Sequence, residues 1–392
     1  MKAVGIAPGR LDFLGGVADY SGSLVLEMPL SLVTKVTITA RREAGLEFAS
    51  AQLGRHVVRK KSSAADLPDW VRYPYGCLRY FGKATGWKAP AGLTFAIEST
   101  VPLGMGVSSS AAIEVATLRA LVAFSGRKLA PVALAHLAQN VENNFVGAPC
   151  GLMDQLTSAC GTPGALLPIL CRPDILGKSV RFPRGVIAVG WPSGVKHAVS
   201  ASPYATARAG AFMGRRIIEQ ATGRTLRHVA EVTPAELATL PEGTLPRVIV
   251  GRDFVKRWRK VADPLTTIVP GRKYPVRAAT SFPIEENARA ATAVKLLRGR
   301  GSKAARCVAL GELLYASHAG YSAMGLGCPE TDEMVAAIRA LGPEQGFYGA
   351  RVSGGGSGGT VVVLLERTSL PKLEALMRRL RFRKDFEPRL LF

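Results

Sequence analysis

Residues 101–123 read VPLGMGVSSSAAIEVATLRALVA, and the rest of the chain is best interpreted from this stretch. A loop with Gly104 and Gly106 leads through three serines into a segment whose apolar residues recur at helical spacing. Serines directly before such a segment are typical helix N-cap residues. A glycine-rich loop at a helix N-terminus gathers free backbone N–H groups at the positive end of the helix dipole. The stretch therefore favours phosphate binding.

The same stretch has a simpler interpretation, which is a loop followed by a well-capped helix with no ligand. Glycine and serine are ordinary loop residues. A nucleotide-binding loop of the Walker A type is not supported, because no Gly-Lys-Ser/Thr follows the glycines. Other segments of the chain must decide between the two interpretations.

The composition narrows the possible partners of the 392-residue chain. Its formal net charge is +22, and nucleic acid is the first partner to consider for so basic a protein. The basic residues are scattered, however, and form no nucleic-acid-binding motif, so we expect a solvated basic surface and no nucleic-acid partner. Six cysteines without close pairing and five histidines without metal-ligand spacing predict reduced thiols and no metal cluster.

The location of the protein is a further expectation. The N-terminal residues do not resemble a signal peptide, and no uninterrupted apolar run reaches the length of a membrane span. We expect a cytoplasmic protein with no membrane partner that is a monomer or a weak homodimer.

The first half of the chain alternates predicted strands and helices. The patterns predict strands over residues 2–7, 24–28, 32–40 and 93–98, and a helix over residues 132–144. A loop-like segment over residues 8–20 contains Arg10, Asp12 and Asp19. A second helix is expected to begin near residues 151–155, with Asp154 in its first turn.

The second half begins after a proline-marked stretch, residues 168–184. A strand over 185–190 and helices over 204–218, 283–299, 304–316 and 331–341 are predicted, whereas residues 220–275 are irregular and uninformative. Five of the six residues 354–359 are glycine, and the strand 360–365 follows. Such a run cannot form a strand interior at reasonable cost. It is either a flexible hairpin or a loop packed against a ligand or the first glycine loop.

The three glycine-marked segments, residues 7–20, 102–112 and 353–360, resemble in order the three motifs of the GHMP small-molecule kinases. This resemblance implies an α+β, two-domain GHMP kinase fold. Residues 1–177 would form an N-terminal, ribosomal protein S5 domain 2-like domain that binds nucleotide and sugar. Residues 178–392 would form a C-terminal, ferredoxin-like α/β sandwich.

Within this superfamily the chain is similar to the galactokinase-like sugar kinases. Residues 142–155, ENNFVGAPCGLMDQ, resemble the segment with the catalytic aspartate, and residues 194–197 with Tyr204 resemble a sugar-binding segment. Galactokinases have Glu-His after the first-motif glycine, whereas this chain has Gly16-Val17 and keeps Asp19. Residues 7–29 are more similar to L-arabinokinases, which also lack the Glu-His pair.

The departure at residues 16 and 17 predicts a pentose substrate. L-Arabinose has galactose stereochemistry without the C6 hydroxymethyl group, so Glu and His side chains that lined C6 would be unpaired around it. Each unpaired buried polar group costs roughly 1–3 kcal/mol. Gly16 and Val17 avoid that cost and offer a C6 hydroxyl no partner.

The resemblance implies a role for each candidate residue in transfer of phosphate from ATP, with Mg²⁺, to a sugar. Asp154 would accept or orient the anomeric proton, and Arg10 would stabilise the transferred charge and keep Asp154 ionised. Ser110 and Glu142 would bind Mg²⁺. Residues expected to bind the nucleotide are Pro102, Gly104, Gly106, Ser108, Ser109, Ser110, Gly355 and Gly356. Residues expected to bind the sugar are Gly16, Val17, Asp19, Gly151, Asp154 and Tyr204.

Other interpretations stay open at this point. The substrate could be galactose, galacturonate, glucuronate or a heptose, and the protein could be a catalytically inactive sugar sensor. Glu142 could be a solvated charge at a helix end, Tyr204 a core residue, and Arg10 a structural partner of Asp12 or Asp19.

Overall fold

The structure is a computed structural model that describes residues 2–59, 61–195, 202–383 and 385–392. The chain divides into two compact units. Unit 1 comprises Met1–Arg10, Pro29–Leu103 and Ser108–Pro163, and unit 2 comprises Leu11–Met28, Gly104–Val107 and Gly164–Phe392. The domain boundary between residues 177 and 178 stays a prediction.

The strands and helices of the described residues follow one another in a mixed order. The strands are β1 (Lys2–Leu14), β2 (Leu24–Ala40), β3 (Gly45–Ser50), β4 (Gly54–Val58), β5 (Gly92–Ser99), β6 (Leu167–Cys171), β7 (Asp174–Leu176), β8 (Val186–Pro192), β9 (Ile249–Val250), β10 (Lys273–Tyr274), β11 (Phe347–Val352) and β12 (Thr360–Glu366). The helices are α1 (Asp69–Thr85), α2 (Ser109–Ser125), α3 (Pro131–Val141), α4 (Met153–Cys160), α5 (Ser202–Thr222), α6 (Pro234–Ala238), α7 (Gly251–Trp258), α8 (Val276–Arg298), α9 (Lys303–Ala323), α10 (Pro329–Leu341) and α11 (Leu370–Arg379).

Unit 1 packs its helices around α2. The predicted helix after the serines is α2, and its apolar residues Ala111, Val115, Leu118 and Leu121 are completely buried. Helices α1, α3 and α4 all pack against α2. Strand β3 pairs parallel with β5 and antiparallel with β4, and residues 34–40 of β2 pair antiparallel with β5. The glycine-rich stretch thus leads into the central helix of this unit.

Unit 2 contains a three-stranded antiparallel sheet in the order β11-β12-β8. Residues 361–365 of β12 are buried without alternation, because both faces of this central strand are covered. Helices α9 and α10 pack against β11, and α8 packs against both α5 and α9. In the same unit, residues 24–27 of β2 pair antiparallel with β6.

Several predicted elements need correction. Strand β1 continues to Leu14, so Arg10 and Asp12 lie on a strand and not in a loop. The predicted strands 24–28 and 32–40 form one strand, β2. Proline and glycine suggested breaks at these places, but the φ angle of proline is compatible with extended backbone where its missing N–H is not needed. Helix α8 begins at Val276 and not at Pro283, which lies inside the helix.

Residues 220–275 are not structureless. They contain α6, α7 and the β9–β10 pair, and they contribute Phe254 and Trp258 to a buried cluster that includes Met213 and Ile217 of α5. Among the described residues, no helix is long and apolar enough to span a membrane.

Candidate active site

Asp154 lies in the first turn of α4, as predicted, and both of its carboxylate oxygens have partners within unit 1. The Arg10 guanidinium contacts Oδ1 through Nε and through a second nitrogen, each at 2.8 Å. The Ser108 hydroxyl donates to Oδ2 at 2.5 Å. The Arg10 side chain is 4% exposed and the Asp154 side chain 23% exposed. A carboxylate fixed in this way remains partly accessible to a substrate.

Ser108 has a backbone conformation that is rare for a residue with a side chain. It is the N-cap residue of α2, with φ 58° and ψ 48°. Its carbonyl accepts the first helical bond, from the Ala112 N–H at 3.0 Å. Its hydroxyl makes no capping bond and instead contacts Asp154, which corrects the predicted N-cap role of this side chain. A left-handed backbone costs energy for a residue with a side chain, so its presence at a residue that contacts Asp154 indicates a functional constraint.

The predicted metal ligand Glu142 is buried at the first residue of a π-helical turn, Glu142–Val146, that follows α3. It is therefore not the solvated charge of the simpler interpretation. Its carboxylate accepts from Gln155 Nε2 at 2.6 Å and from the Ser110 hydroxyl. Burial, and then the charge of Asp154, raise the pKa of Glu142 to about 7.

Glu114 was missed by the sequence analysis. It lies on α2, is completely buried and is hydrogen-bonded to Glu142. Gln155 Nε2 lies 3.4 Å from its second carboxylate oxygen. Burial and the neighbouring Glu142 raise the pKa of Glu114 well above its usual range. A sequence signal existed, since Glu114 is the one carboxylate of α2 and residues 111–124 are otherwise apolar except for Thr117 and Arg119.

The Ser110–Glu142 pair fits a magnesium ion. A hydroxyl and a carboxylate are oxygen donors of the kind that Mg²⁺ prefers, and Mg²⁺ commonly keeps waters and phosphate oxygens as its remaining ligands. The two side chains already contact each other within unit 1. An acid whose pKa burial raises to about 7 is one that a nearby cation would hold in its ionised form.

The two glycine-rich loops pack against each other in unit 2. The Thr360 hydroxyl donates to the Met105 carbonyl at 2.7 Å. A Cβ on Gly106 would lie 3.3 Å from the Ser353 carbonyl, and a Cβ on Gly359 would lie 3.1 Å from the Met105 carbonyl. Gly104 and Gly106 have φ angles of 70° and 69°, which favour glycine. The run of glycines is therefore a packed loop and not a free hairpin.

The first-motif residues expected to bind the sugar are gathered in unit 2. Gly16, Val17 and Asp19 belong to a 3-10 helix, Gly16–Ser21, that is separated from the end of β1 by one residue, and all three are buried. Tyr204 in the first turn of α5 is 7% exposed and shares a buried cluster with Val17. The position of Tyr204 also agrees with the alternative of a core residue, so its sugar contact stays a prediction.

The structure gives Gly16 a second reason to be glycine. Its φ angle is 54°, and a Cβ at this position would lie 1.7 Å from the Tyr321 hydroxyl oxygen. Tyr321, on α9, is completely buried and was not singled out from the sequence. No local pattern could have identified it, because it lies 305 residues beyond Gly16 in the chain.

The remaining predicted residues are placed as follows. Gly355 and Gly356 lie in the packed loop between β11 and β12, Pro102 precedes Gly104, Ser109 begins α2, and Gly151 lies two residues before α4. Of the segment 194–197, Gly194 and Val195 are described, whereas Lys196 and His197 lie outside the described residues.

Two regions of the chain match models of known protein families. The model of the GHMP kinases N terminal domain matches residues 72–162, and the model of the GHMP kinases C terminal domain matches residues 302–381. The first match contains Ser108, Glu142 and Asp154, and the second contains the third glycine loop.

Curated relatives agree with these matches. A galactokinase of Chloroflexus aggregans is 31% identical over 95% of this chain and 86% of its own. The human galactokinase is 29% identical over 93% of this chain and 84% of its own. An L-arabinokinase of Arabidopsis thaliana is 32% identical over 91% of this chain, which spans only 42% of that longer protein.

The chain therefore belongs to the GHMP kinases, as a sugar kinase of the galactokinase and arabinokinase type. The fold agrees. A Lactococcus lactis galactokinase crystallised with galactose matches 99% of the chain with a TM-score of 0.79 at 20% identity, and a Methanococcus jannaschii mevalonate kinase matches all of it with a TM-score of 0.64 at 14% identity. The α+β, two-domain GHMP kinase fold predicted from the sequence is confirmed.

Proposed function

We propose that this protein transfers the γ-phosphate of ATP to the anomeric hydroxyl of L-arabinose, giving L-arabinose 1-phosphate and ADP. The observation that carries the proposal is the carboxylate of Asp154, held on one side by Arg10 and on the other by the Ser108 hydroxyl. An acid with both oxygens fixed and with a partly exposed side chain is suited to orienting a sugar hydroxyl.

The proposed transfer forms one bond and breaks one. The anomeric oxygen bonds to the γ-phosphorus, and the bond from that phosphorus to the β,γ-bridging oxygen breaks. Asp154 either accepts the proton of the anomeric hydroxyl, or orients this hydroxyl so that its proton passes to an oxygen of the transferred phosphate. Arg10, already beside Asp154, would oppose the negative charge of the transferred group. Phosphoryl transfer needs mainly such positioning and charge neutralisation.

The nucleotide would be held mainly by backbone groups. Gly104 and Gly106 allow close approach of the backbone to phosphate oxygens, and Gly355 and Gly356 would supply the same on the loop packed against them. The N-terminus of α2, which begins at Ser109, would add free N–H groups and the helix dipole.

Ser110 and Glu142 would hold Mg²⁺. When bound, this ion neutralises charge on the phosphate oxygens. The contribution of the chain is to keep the Ser110 hydroxyl beside the buried Glu142 carboxylate, one oxygen of which accepts from the Gln155 amide.

L-Arabinose is supported by the residues at positions 16 and 17 and by the name of one relative. Gly16 and Val17 stand where galactokinases have Glu and His. Those two polar side chains would be unpaired around a pentose, at a cost of roughly 1–3 kcal/mol each. The Arabidopsis relative is described as an L-arabinokinase, although this chain spans only 42% of it. The proposed partners are thus a sugar and ATP. A monomeric or weakly dimeric state, the absence of a nucleic-acid partner and a cytoplasmic location stay predictions.

The test is an ADP-release assay with Mg-ATP and a panel of sugars: L-arabinose, galactose, galacturonate, glucuronate and mannoheptose. We expect the highest kcat/KM with L-arabinose. A higher value for another sugar would replace L-arabinose by that sugar and leave the kinase activity standing. No ADP release above the rate without sugar would favour an inactive sensing protein.

Galactokinase activity is the second candidate. It is favoured by the Chloroflexus relative, a galactokinase that matches 95% of this chain. Gly16 also packs against Tyr321, so glycine at this position does not by itself demand a pentose. The ratio of kcat/KM for L-arabinose and galactose in the same assay decides between the two candidates.

A further inference from the structure

Two buried side chains of unit 2 hold the backbone of Gly354 from both sides. The Gly354 N–H donates to Asp12 Oδ2 at 2.9 Å. The Gly354 carbonyl accepts from the Tyr321 hydroxyl at 2.5 Å. Gly354 directly precedes Gly355 and Gly356, the residues expected to bind phosphate.

The same two side chains also hold the first-motif loop. The Gly16 N–H donates to Asp12 Oδ1 at 3.0 Å. The Val17 N–H donates to the Tyr321 hydroxyl at 3.0 Å. Asp12 and Tyr321 therefore each bridge the segment expected to bind sugar and the loop expected to bind phosphate.

The bridge formed by Asp12 and Tyr321 is buried and includes a charged group, so each of its hydrogen bonds contributes strongly to holding the two segments. The Asp12 and Arg351 side chains are completely buried and form an ion pair at 2.9 Å. The Arg351 guanidinium lies 5.1 Å from the centre of the Tyr321 ring. Burial raises the pKa of Tyr321, so its phenol stays protonated. The hydroxyl can therefore donate one hydrogen bond while its oxygen accepts a second one. In a low-dielectric interior, losing one such bond is costly.

The packing around the Tyr321 hydroxyl is tight. It occupies the space that a side chain at position 16 would need, since a Cβ there would lie 1.7 Å away. Gly356 is limited by Tyr321 together with Leu326, because its Cβ would lie 2.9 Å from Tyr321 Cδ1 and 2.6 Å from the Leu326 carbonyl oxygen. Tyr321 thus restricts the backbone of both loops.

We propose that Tyr321 is a positioning residue that, with Asp12, couples the sugar loop (residues 15–19) to the glycine loop (residues 353–359), so that sugar and nucleotide strengthen each other's binding. The proposal rests on the proposed function, which assigns the two ligands to these loops. A ligand that orders one loop orders the other through the bridge, so the second ligand binds at a smaller entropic cost. Because linkage is reciprocal, the sugar must tighten nucleotide binding by the same factor as the nucleotide tightens sugar binding.

The first experiment compares Tyr321→Phe with Tyr315→Phe. Both tyrosines lie on α9 and are buried, but Tyr315 packs in a different cluster and under Arg339. Isothermal titration calorimetry would give the Kd of magnesium AMPPNP with and without saturating sugar, using the sugar of the panel that is turned over best. We expect sugar to lower this Kd about 5-fold or more in the wild type, within the usual range for coupled sites. The ratio should fall toward one in Tyr321→Phe and stay unchanged in Tyr315→Phe.

The outcomes separate the coupling from the function. If sugar and nucleotide both bind the wild type and the ratio is already one, or if Tyr321→Phe keeps the wild-type ratio, the coupling is wrong and the kinase assignment stands. An equal loss in Tyr315→Phe would also refute it, because the effect would then be general loosening. If no sugar of the panel binds, the proposed function and the coupling both fail.

A second measurement needs no variant. Amide hydrogen exchange of residues 353–359 would be followed in the wild type on addition of sugar alone. We expect slower exchange in this loop, although its residues are assigned to the nucleotide. Exchange that slows only in the sugar loop and not in residues 353–359 would overturn the proposal even if Tyr321→Phe failed to fold.

Discussion

Removing the Ser108 hydroxyl should slow phosphoryl transfer. Ser108→Ala deletes the 2.5 Å bond to Asp154 Oδ2 and leaves the Arg10 contact to Oδ1 in place. A hydrogen bond to a charged group is worth about 1.5–3 kcal/mol. Because the Asp154 side chain is 23% exposed, water can replace part of the lost bond, so we take the lower limit. At about 1.4 kcal/mol per tenfold, this corresponds to a roughly tenfold lower kcat.

The backbone conformation of Ser108 adds a second, independent expectation. With φ at 58°, alanine keeps the cost of a left-handed residue, about 1–2 kcal/mol, whereas glycine does not. Glycine loses part of this gain to its greater chain entropy in the unfolded state. Ser108→Gly should therefore lose the same tenfold in kcat but be more stable than Ser108→Ala by about 1 kcal/mol.

The assay is steady-state ADP release for both variants, with thermal unfolding measured in parallel. Ser125→Ala, at the other end of α2, is the matched control, because its hydroxyl donates to the Val122 carbonyl and accepts from the Arg127 N–H, both far along the helix from Asp154. A kcat within twofold of wild type in Ser108→Ala would show that the hydroxyl does not hold the acid. Equal stability of the alanine and glycine variants would contradict the left-handed conformation.

Three further predictions concern the acid, the sugar loop and the segment of residues 220–275. Asp154→Asn should lower kcat by at least about 10²-fold, the low end for acid–base catalysis, with an unchanged calorimetric Kd for magnesium AMPPNP; a near-normal rate would remove Asp154 from the reaction. Gly16→Ala should lower the thermal midpoint clearly, because its Cβ would collide with Tyr321, and an unchanged midpoint would contradict the packing. Asp263→Asn removes the charge that pairs with buried Arg208 at 2.9 Å, so we expect the free energy of unfolding, measured with denaturant, to fall by about 3 kcal/mol. We also expect a raised KM for sugar and an unchanged KM for ATP, because Arg208 lies 4.7 Å from the ring of Tyr20, which is next to Asp19. Equal rises in both KM values would show that Asp263 has only a structural role.

Local patterns were sufficient for the central helix and its loop. A glycine loop and the apolar spacing of the following helix are features of neighbouring residues, and the structure has α2 where it was predicted. The positive φ angles of Gly104 and Gly106 were not predicted but agree with a glycine-specific loop. Asp154 in the first turn of α4 was predicted on the same grounds. These elements depend on backbone preferences and on one apolar face, both of which a sequence displays directly.

The parts that were missed depend on tertiary contacts. Proline and glycine suggested breaks in β1 and β2, yet both strands continue, because pairing and burial outweigh local preference. The Ser108 hydroxyl was expected to serve its own helix, and its actual partner lies 46 residues away. In the sequence Tyr321 looks like any tyrosine of a helix, and its role is recognisable only from its hydrogen bonds to Val17 and Gly354. Such roles become visible only when the segments are brought together.

The account depends most on Asp154 directing the γ-phosphate to the anomeric oxygen of a sugar. The most direct measurement is ³¹P NMR of the product from Mg-ATP and L-arabinose with the wild type and Asp154→Asn. We predict a new phosphate-ester signal coupled to the anomeric proton with the wild type, and no such signal over the same period with the variant. A signal coupled to any other sugar proton, or the same anomeric signal at a similar rate from Asp154→Asn, would contradict the account.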